Sequence, residues 1–203
     1  INGGALTSAF ELEVPPRDTA KMNYVYNDSS YKASVYRGVG KPDKNAELVF
    51  GPNITDWPEQ IALPDNLLLT FTAAIYDSVT TTDELIPSGE TSSYRSNPLK
   101  LAEFALSRRV PEYVGRCKEI FALEQKRRKE PFDPDVMAAL GNLNPLTTGL
   151  GSILLAIRPG DGSAREQAAS CQRVLGGCAN LCEDFATKRY RSNVVNWGML
   201  PFT

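Results

Sequence analysis

The chain has 203 residues, enough for one domain with a sizeable core, and its hydrophobic share of 42% and charged share of 23% are typical of a folded globular protein rather than a disordered or fibrous one. The formal net charge of -2 excludes a bulk positive field that would attract nucleic acid, and the apolar stretches near Leu67 and Ile153 are shorter than the roughly 18 residues of a membrane span. The chain contains no histidine, which excludes Ser-His-Asp and Cys-His catalysis, histidine-bound zinc and imidazole proton transfer by its own residues.

The first third of the chain predicts β-structure with long turns. Three short runs are rich in β-prone residues and are separated by Gly, Pro, Asn and Asp. The predicted strands cover residues 31–36, 47–50 and 67–76.

The middle of the chain predicts three helices, over residues 98–110, 111–130 and 134–140. Each begins at or next to a proline, and Asn97 and Asp133 precede two of these prolines as capping residues. A basic run at residues 126–129 closes the second helix, and we expect a solvated helix end there because acidic residues flank it.

The last third alternates strands and helices in the α/β manner. We expect strands at residues 152–157 and 178–182, a helix at about residues 164–175 and a short helix from Asp184 to about residue 192. The four cysteines contain no CxxC pair and are interpreted as free thiols of a reducing compartment.

Residues 158–166, which we name the glycine turn, connect an apolar strand to the start of a helix. The first amides of a helix are unpaired and carry roughly half a positive charge, so this segment predicts an anion site. Gly160 and Gly162 let the backbone approach a ligand, while Ser163 and Arg165 supply a hydroxyl and a planar cation. The alternative interpretation makes Ser163 a helix N-cap and Arg165 a solvated first-turn side chain.

Residues 77–89, which we name the threonine loop, follow the most apolar strand of the first half and consist mainly of turn-forming residues and small hydroxyl side chains. Such a loop carries polar groups to the end of a strand. Arg95 follows this loop closely in the sequence. The alternative is an ordinary polar loop in which Arg95 pairs with a neighbouring carboxylate.

Together the two segments resemble the signature loops of the swivel domain in the aconitase family of hydro-lyases. That family carries a Thr-Thr-Asp-His loop followed by a Gly and an Arg, and later a Gly-Ser-Ser-Arg-Glu-His turn from strand to helix. The corresponding segments here are Thr81-Thr82-Asp83-Glu84 with Gly89 and Arg95, and Gly162-Ser163-Ala164-Arg165-Glu166-Gln167. The resemblance covers about residues 67–203, with a helical insertion between the two loops, and it includes the closing Trp197-Gly198-Met199-Leu200-Pro201-Phe202.

The resemblance implies an α/β swivel domain of the β/β/α kind, with a compact mixed sheet or barrel and flanking helices, formed by residues 1–203 as a single domain. It further implies that the chain is the carboxy-terminal part of a larger hydratase. The expected activity is that of a lyase, which removes water from a β-hydroxy di- or tricarboxylic acid such as citrate or isocitrate and returns it. The isolated chain is expected to be inactive.

The resemblance also implies roles for individual residues. Ser163 corresponds to the serine base of the family and Asp83 to an active-site acid. Arg95 and Arg165 correspond to its carboxylate-binding arginines, and the backbone at Ala164 corresponds to the position that meets a substrate oxygen. A serine hydroxyl is a poor base unless its alkoxide is stabilised, which a helix N-terminus and a nearby arginine provide.

Three positions depart from the family pattern: Ala164 replaces a serine, and Gln167 and Glu84 replace histidines. These departures favour a divergent branch and leave two alternatives open. One is a free-standing small subunit of an enzyme of the isopropylmalate isomerase type, and the other is a non-catalytic module that retains the anion site.

The family uses a [4Fe-4S] cluster as its Lewis acid, held by three cysteines of other domains. Cys178 and Cys182 are interpreted as core residues, so we expect this chain to bind neither a cluster nor another metal. The expected partners are a carboxylate substrate and the iron–sulfur domains of the same protein or of a large subunit, with no nucleic acid and no membrane. The expected location is the cytoplasm, or the mitochondrial matrix in a eukaryote.

Overall fold

A computed structural model of the chain describes residues 4, 6, 8–11, 25–34, 40–47 and 49–203. The chain divides into two compact units, residues 1–48 and residues 49–203. The single domain expected over residues 1–203 stays a prediction.

The first unit contains a short 3-10 helix at Ala9–Glu11 and the helix α1 at Ser29–Ser34. The strand prediction for residues 31–36 is wrong where the structure describes them, since residues 31–34 are helical, and residues 35 and 36 lie outside the described residues. Lys32 pairs with Asp28 four residues earlier, and this spacing supports a helical turn against the β-propensity of the segment.

The strand predicted at residues 47–50 is also wrong for the described positions. Residues 47, 49 and 50 belong to no strand, and residue 48 lies outside the described residues. A β-prone run of this length forms a strand only where a neighbouring strand satisfies its backbone hydrogen bonds.

In chain order, the strands and α-helices of the second unit are β1 (Asn66–Ile75), β2 (Thr80–Thr81), α2 (Thr82–Leu85), α3 (Pro98–Ala102), α4 (Tyr113–Lys129), α5 (Pro134–Leu140), β3 (Thr148–Ala156), β4 (Pro159–Asp161), α6 (Arg165–Val174), β5 (Gly177–Leu181), α7 (Lys188–Asn196) and β6 (Leu200–Phe202).

Four of these strands form a parallel sheet in the order β1-β3-β5-β6. The central strand β3 is buried along almost its whole length, which matches its nearly continuous run of apolar and small residues. Strands β2 and β4 form a second, two-stranded parallel sheet. The α/β class with flanking helices is therefore confirmed, whereas the sheet expected to be mixed or barrel-shaped is parallel in the described residues.

The core of the second unit lies between the sheet and the helices packed against it. Leu154 and Ala156 of β3 belong to a buried cluster that includes Ala168 of α6 and Val194 of α7. Helix α4 packs on β1 and β3. Among the described residues, no helix has the length and apolar character needed to cross a membrane.

A buried hydrogen-bond network joins α6, β5 and α7. Gln172 Nε2 donates to the Tyr190 hydroxyl at 2.7 Å, Asn180 Nδ2 donates to Gln172 Oε1 at 2.9 Å, and the Tyr190 hydroxyl donates to Asn180 Oδ1 at 3.1 Å. Burial raises the pKa of Tyr190 above its ordinary value. Because the three side chains satisfy one another, the network favours a single arrangement of these elements.

Helices α4 and α5 match their predictions, but the helix predicted over residues 98–110 ends at Ala102. Asn97 caps this helix as expected, because its side chain accepts a first-turn amide at 3.0 Å. Leu106 explains the early end: it is buried, has a left-handed φ of 53° and donates its amide to Leu85 O at 3.0 Å. A contact with α2 thus replaces the continuation of the helix.

The last helix begins later than predicted because Thr187, rather than Asp184, caps it. The Thr187 hydroxyl accepts the amide of Tyr190 at 3.2 Å. Asp184 instead accepts the amide of Phe185 at 2.8 Å. Both residue types are good helix caps, so the sequence pattern does not distinguish them.

The basic run at residues 126–129 is not uniformly solvated. Arg127 is buried, and its guanidinium forms two hydrogen bonds of 2.7 Å with the carboxylate of Glu124. It also donates to Pro145 O at 2.7 Å, while Glu124 Oε2 accepts the amide of Leu150 at 2.8 Å. The hydrogen bond to Glu124 raises the pKa of Arg127. This ion pair attaches α4 to β3 and to the loop before it.

Gly160 lies in β4 with φ 96°, and a Cβ on it would collide with the side chain of Tyr190. Gly160→Ala is expected to lower the free energy of unfolding by about 3 kcal/mol, because overpacking and backbone strain add. Gly89→Ala is the matched control, since a Cβ at Gly89 meets open space. Urea unfolding measures both variants, and equally small effects would contradict this packing.

Candidate functional site

The two segments singled out by the sequence lie side by side. Strand β2 of the threonine loop pairs in parallel with β4 of the glycine turn, and Thr80 lies opposite Pro159. A Cβ built on Gly162 would collide with the hydroxyl of Thr82. The missing side chain at Gly162 therefore permits the close approach of the two segments.

Ser163 lies just before α6 and is exposed. The N-cap of α6 is Ala164, and no side chain caps that helix, so the interpretation of Ser163 as the N-cap is wrong. The Ser163 hydroxyl has no hydrogen-bond partner among the described residues. The first amides of a helix lack intrahelical partners. The glycine turn thus combines a free hydroxyl with an uncapped helix N-terminus.

Arg165 is half-buried and folds back on its own turn, where Nη1 donates to the carbonyl oxygen of Gly162. Arg165 therefore lies in the first turn of α6, as the alternative interpretation has it, with its guanidinium turned back toward Gly162. A guanidinium carries five N–H donors, so this hydrogen bond leaves donors for an anion. The side chain holds a positive charge at the turn.

An open groove of about 430 Å³ lies beside the glycine turn. Glu166 lies in it and accepts hydrogen bonds from Trp197 Nε1 at 2.6 Å and from Asn193 Nδ2. These bonds connect the first turn of α6 to α7. The residues that line the groove are Ser163, Arg165, Glu166, Lys188, Arg189, Ser192 and Asn193.

The sequence prediction missed two cations of this groove, Lys188 and Arg189. Neither forms an ion pair in the part of the chain that the structure describes. Both occupy the first turn of α7, where the helix dipole disfavours positive charge. Basic residues in the first turn of a helix are locally unfavourable, and residues that are unfavourable for local structure often occur at functional sites. This feature of the sequence therefore identifies Lys188 and Arg189 as candidates. With Arg165 they give the groove a positive field.

Asp83 lies in α2 and is exposed, with its carboxylate bound by an arginine. Arg108 Nη1 donates to Asp83 Oδ2 at 2.9 Å. Arg108 also pairs with Glu90, and the hydrogen bond to Glu90 is the main cause that raises the pKa of Arg108. The sequence prediction missed Arg108, which comes from the helical insertion.

Glu84, which stands where the aconitase family pattern has histidine, completes a capping box at the start of α2. Its Oε2 accepts the amide of Thr81 at 2.7 Å, and the Thr81 hydroxyl accepts the amide of Glu84 at 3.2 Å. Arg109 Nε lies 3.4 Å from Glu84 Oε1 and the same guanidinium pairs with Asp77. Glu84 therefore stabilises the conformation of the threonine loop.

Arg95 follows a 3-10 turn at Ser92–Tyr94 and is exposed. It forms no hydrogen bond or ion pair with the described residues, so the interpretation in which it pairs with a neighbouring carboxylate is wrong. Tyr94 stacks on Phe104 with ring centroids 5.7 Å apart, which anchors the turn. No described contact joins Arg95 to the glycine turn.

The cysteines Cys117, Cys171, Cys178 and Cys182 are buried free thiols. Burial raises the pKa of each, that of Cys171 to about 12 and that of Cys182 to about 11. These side chains are protonated at neutral pH, whereas a metal ligand must be a thiolate. Within the described ranges, no group of three or more His, Cys, Asp or Glu side chains is placed to hold a metal ion.

Neither a comparison with protein-family models nor a comparison with curated proteins finds a match for this chain.

Proposed function

We propose that this chain is the swivel domain of an aconitase-like hydro-lyase, which removes water from a β-hydroxy di- or tricarboxylic acid of the citrate and isocitrate type and returns it. The pairing of β2 with β4 carries the proposal, because it places the threonine loop beside the glycine turn. The two segments that resemble the family signatures therefore meet at one end of the same small sheet.

Ser163 is the base in this proposal. It takes the proton from the carbon next to a substrate carboxylate, and the negative charge that the serine carries beforehand as an alkoxide needs stabilisation. The uncapped N-terminus of α6 and the guanidinium of Arg165 supply positive potential at this position. The exposed, unbonded state of the hydroxyl supports this role, because no internal hydrogen bond must break before it acts.

Arg165 and the backbone amide at Ala164 bind the substrate carboxylate in this proposal, and Arg95 is a second carboxylate-binding residue. Arg95 is available for such contact because it is exposed and has no partner among the described residues. Asp83 corresponds to the active-site acid in this proposal, and its carboxylate is bound by Arg108. The groove cations next to the turn attract a polyanionic substrate.

The reaction also needs a Lewis acid for the departing hydroxyl, which a [4Fe-4S] cluster supplies in the aconitase family. The four thiols of this chain do not fit that group, since they are buried and burial raises the pKa of each. We therefore assign the cluster to iron–sulfur domains of the same protein or of a large subunit. This chain then contributes the base and the carboxylate-binding side chains.

A non-catalytic anion-binding module is the second candidate. Two features favour it: Arg108 already occupies the carboxylate of Asp83, and Glu84 serves as a capping residue where the family has histidine. Both candidates use the anion site at the glycine turn, and they differ in whether Ser163 takes a proton.

Citrate added to the 203-residue chain is expected to shift the NMR amide signals of residues 162–166, with a dissociation constant in the millimolar range. The affinity is weak because a helix dipole and one or two charge-assisted hydrogen bonds contribute roughly 1–2 kcal/mol each. Arg165→Gln is expected to weaken the binding several-fold. An NMR titration measures both.

The matched control is Arg128→Gln, which removes an exposed cation from the basic end of α4 and should leave the titration unchanged. Shifts confined to residues 126–130 and absent from the glycine turn would contradict the anion site.

A further inference from the structure

Glu166 is a carboxylate in a groove whose other charged side chains are cations. It lines the groove at the start of α6 with Arg165, Lys188 and Arg189, but it forms no ion pair with them in the described part of the chain. A carboxylate that pairs with a cation cancels much of its field, and the groove attracts an anion through that field. The contacts that keep Glu166 unpaired therefore bear directly on anion binding.

Two uncharged donors hold the carboxylate of Glu166. Trp197 Nε1 donates to its Oε1 at 2.6 Å, and Asn193 Nδ2 donates to its Oε2. Hydrogen bonds to a charged acceptor are stronger than those between neutral groups, so this arrangement restrains the side chain. An indole N–H and an amide satisfy the carboxylate without using a cation of the groove.

The donor on Trp197 lies away from the cations along α7. Lys188 and Arg189 belong to the first turn of this helix, whereas Trp197 follows its last residue. Trp197 comes eight residues after Arg189, which corresponds to roughly 12 Å along a helix axis. The bond to Trp197 therefore draws the carboxylate toward the end of α7 that is opposite to these cations.

The indole of Trp197 is fixed by its own packing. Its ring centroid lies 4.7 Å from that of Trp57, and the two ring planes are inclined by 38°. The side chain also packs against the main buried cluster of the second unit. Thr55 N donates to Ser96 O at 2.9 Å, which attaches the segment that carries Trp57. A donor held in this way loses little freedom when it bonds to Glu166.

We propose that Trp197 is a positioning residue of the candidate site. Its indole N–H, together with the Asn193 amide, holds Glu166 apart from the three groove cations and leaves those cations free to bind an anion. Trp197 itself does not touch the anion and acts through Glu166. The inference rests on the anion site of the proposed function, and it adds the contact that keeps this site positively charged.

Trp197→Phe in the 203-residue chain tests the inference, with citrate as the probe. The substitution keeps an aromatic ring against Trp57 and removes the N–H, so Glu166 loses one of its two donors and can pair with the groove cations. We expect the citrate dissociation constant from the NMR titration to increase about fivefold, the size expected when an exposed ion pair competes with the ligand. Trp57→Phe is the matched control, because it makes the same change in the same aromatic pair and keeps the Trp197 donor. It should leave the dissociation constant within about a factor of two.

Glu166→Gln shows whether Trp197 acts through this carboxylate. A glutamine amide cannot cancel the charge of the groove cations, so the double variant Trp197→Phe with Glu166→Gln should bind citrate at least as tightly as the unmodified chain. A tryptophan that merely supported the fold would show no such rescue.

The indole N–H signals in the NMR spectrum report the hydrogen bond itself, without any ligand. The chain has two tryptophans, and Trp57→Phe assigns the two signals. Glu166→Gln should move the signal of Trp197 upfield, because a hydrogen bond to a carboxylate becomes one to a neutral amide.

Three results would overturn the inference while the anion site stands: an unchanged dissociation constant in Trp197→Phe, weaker binding that Glu166→Gln does not restore, or an unmoved Trp197 signal in Glu166→Gln. If citrate leaves residues 162–166 of the unmodified chain unshifted, the anion site and the inference fail together. If Glu166→Gln restores the affinity but the assembled protein shows no hydro-lyase activity, the proposed reaction fails and the inference holds.

Discussion

Ser163→Ala is expected to lower the turnover number of the assembled hydro-lyase by several powers of ten and to leave substrate affinity nearly unchanged. A base acts in the transition state, so its loss reduces kcat far more than binding. This substitution should leave the fold unchanged, because Ser163 is exposed and does not cap α6. We therefore expect the free energy of unfolding to change by no more than about 0.5 kcal/mol.

The measurement is steady-state hydration of an unsaturated tricarboxylic acid by the chain together with its iron–sulfur domains, with kcat and KM determined separately. Ser192→Ala is the matched control, since Ser192 lines the same groove but donates its hydroxyl to Lys188 O at 3.0 Å. Near-normal turnover in Ser163→Ala would remove the serine from the mechanism and favour the non-catalytic anion-binding module.

The elements that the sequence predicted correctly are those whose signals are local. Residues 67–76 and 152–157 are apolar runs bounded by turn formers, and both lie largely in strands of the parallel sheet. Helix α5 is bounded by a capping aspartate before proline and by Gly141. Each of these signals acts within a few residues, so no knowledge of distant contacts is needed to read it.

The errors arise where distant contacts decide the structure. The helix after Pro98 stops because Leu106 bonds to α2, and nothing in the local pattern of residues 98–110 reveals that bond. Thr187 and Asp184 are both favourable cap residues, so the local sequence does not decide between them. Tyr190, which packs against Gly160, lies in α7 three residues after Thr187.

The same distinction between local signals and distant contacts applies to the residues of the candidate site. Ser163 and Arg165 are recognisable because the turn from strand to helix is a local motif, and the structure places both at the start of α6. Arg108 is not recognisable from the sequence, since it reaches Asp83 across 25 residues.

Arg127→Met is expected to lower the free energy of unfolding by about 3–5 kcal/mol, the largest stability effect predicted for this chain. The substitution leaves the carboxylate of Glu124, which is 5% exposed, without its cation. It also removes the donor to Pro145 O. A methionine fills most of the volume of the arginine stem, so the loss is electrostatic rather than a cavity.

Urea unfolding of the second unit measures the change, and the double variant Glu124→Leu with Arg127→Met separates the ion pair from its surroundings. The double variant should be more stable than Arg127→Met alone, because it buries no unpaired charge. It should remain less stable than the unmodified chain, since the amide of Leu150 loses its acceptor. Lys126→Met removes a half-buried surface cation of the same helix, whose ion pairs with Asp133 and Asp135 are open to solvent, and it should have little effect. If Arg127→Met is no more harmful than Lys126→Met, the ion pair is solvated in solution, and α4 is attached to β3 by the apolar packing of Ile120 and Leu123 around Leu150.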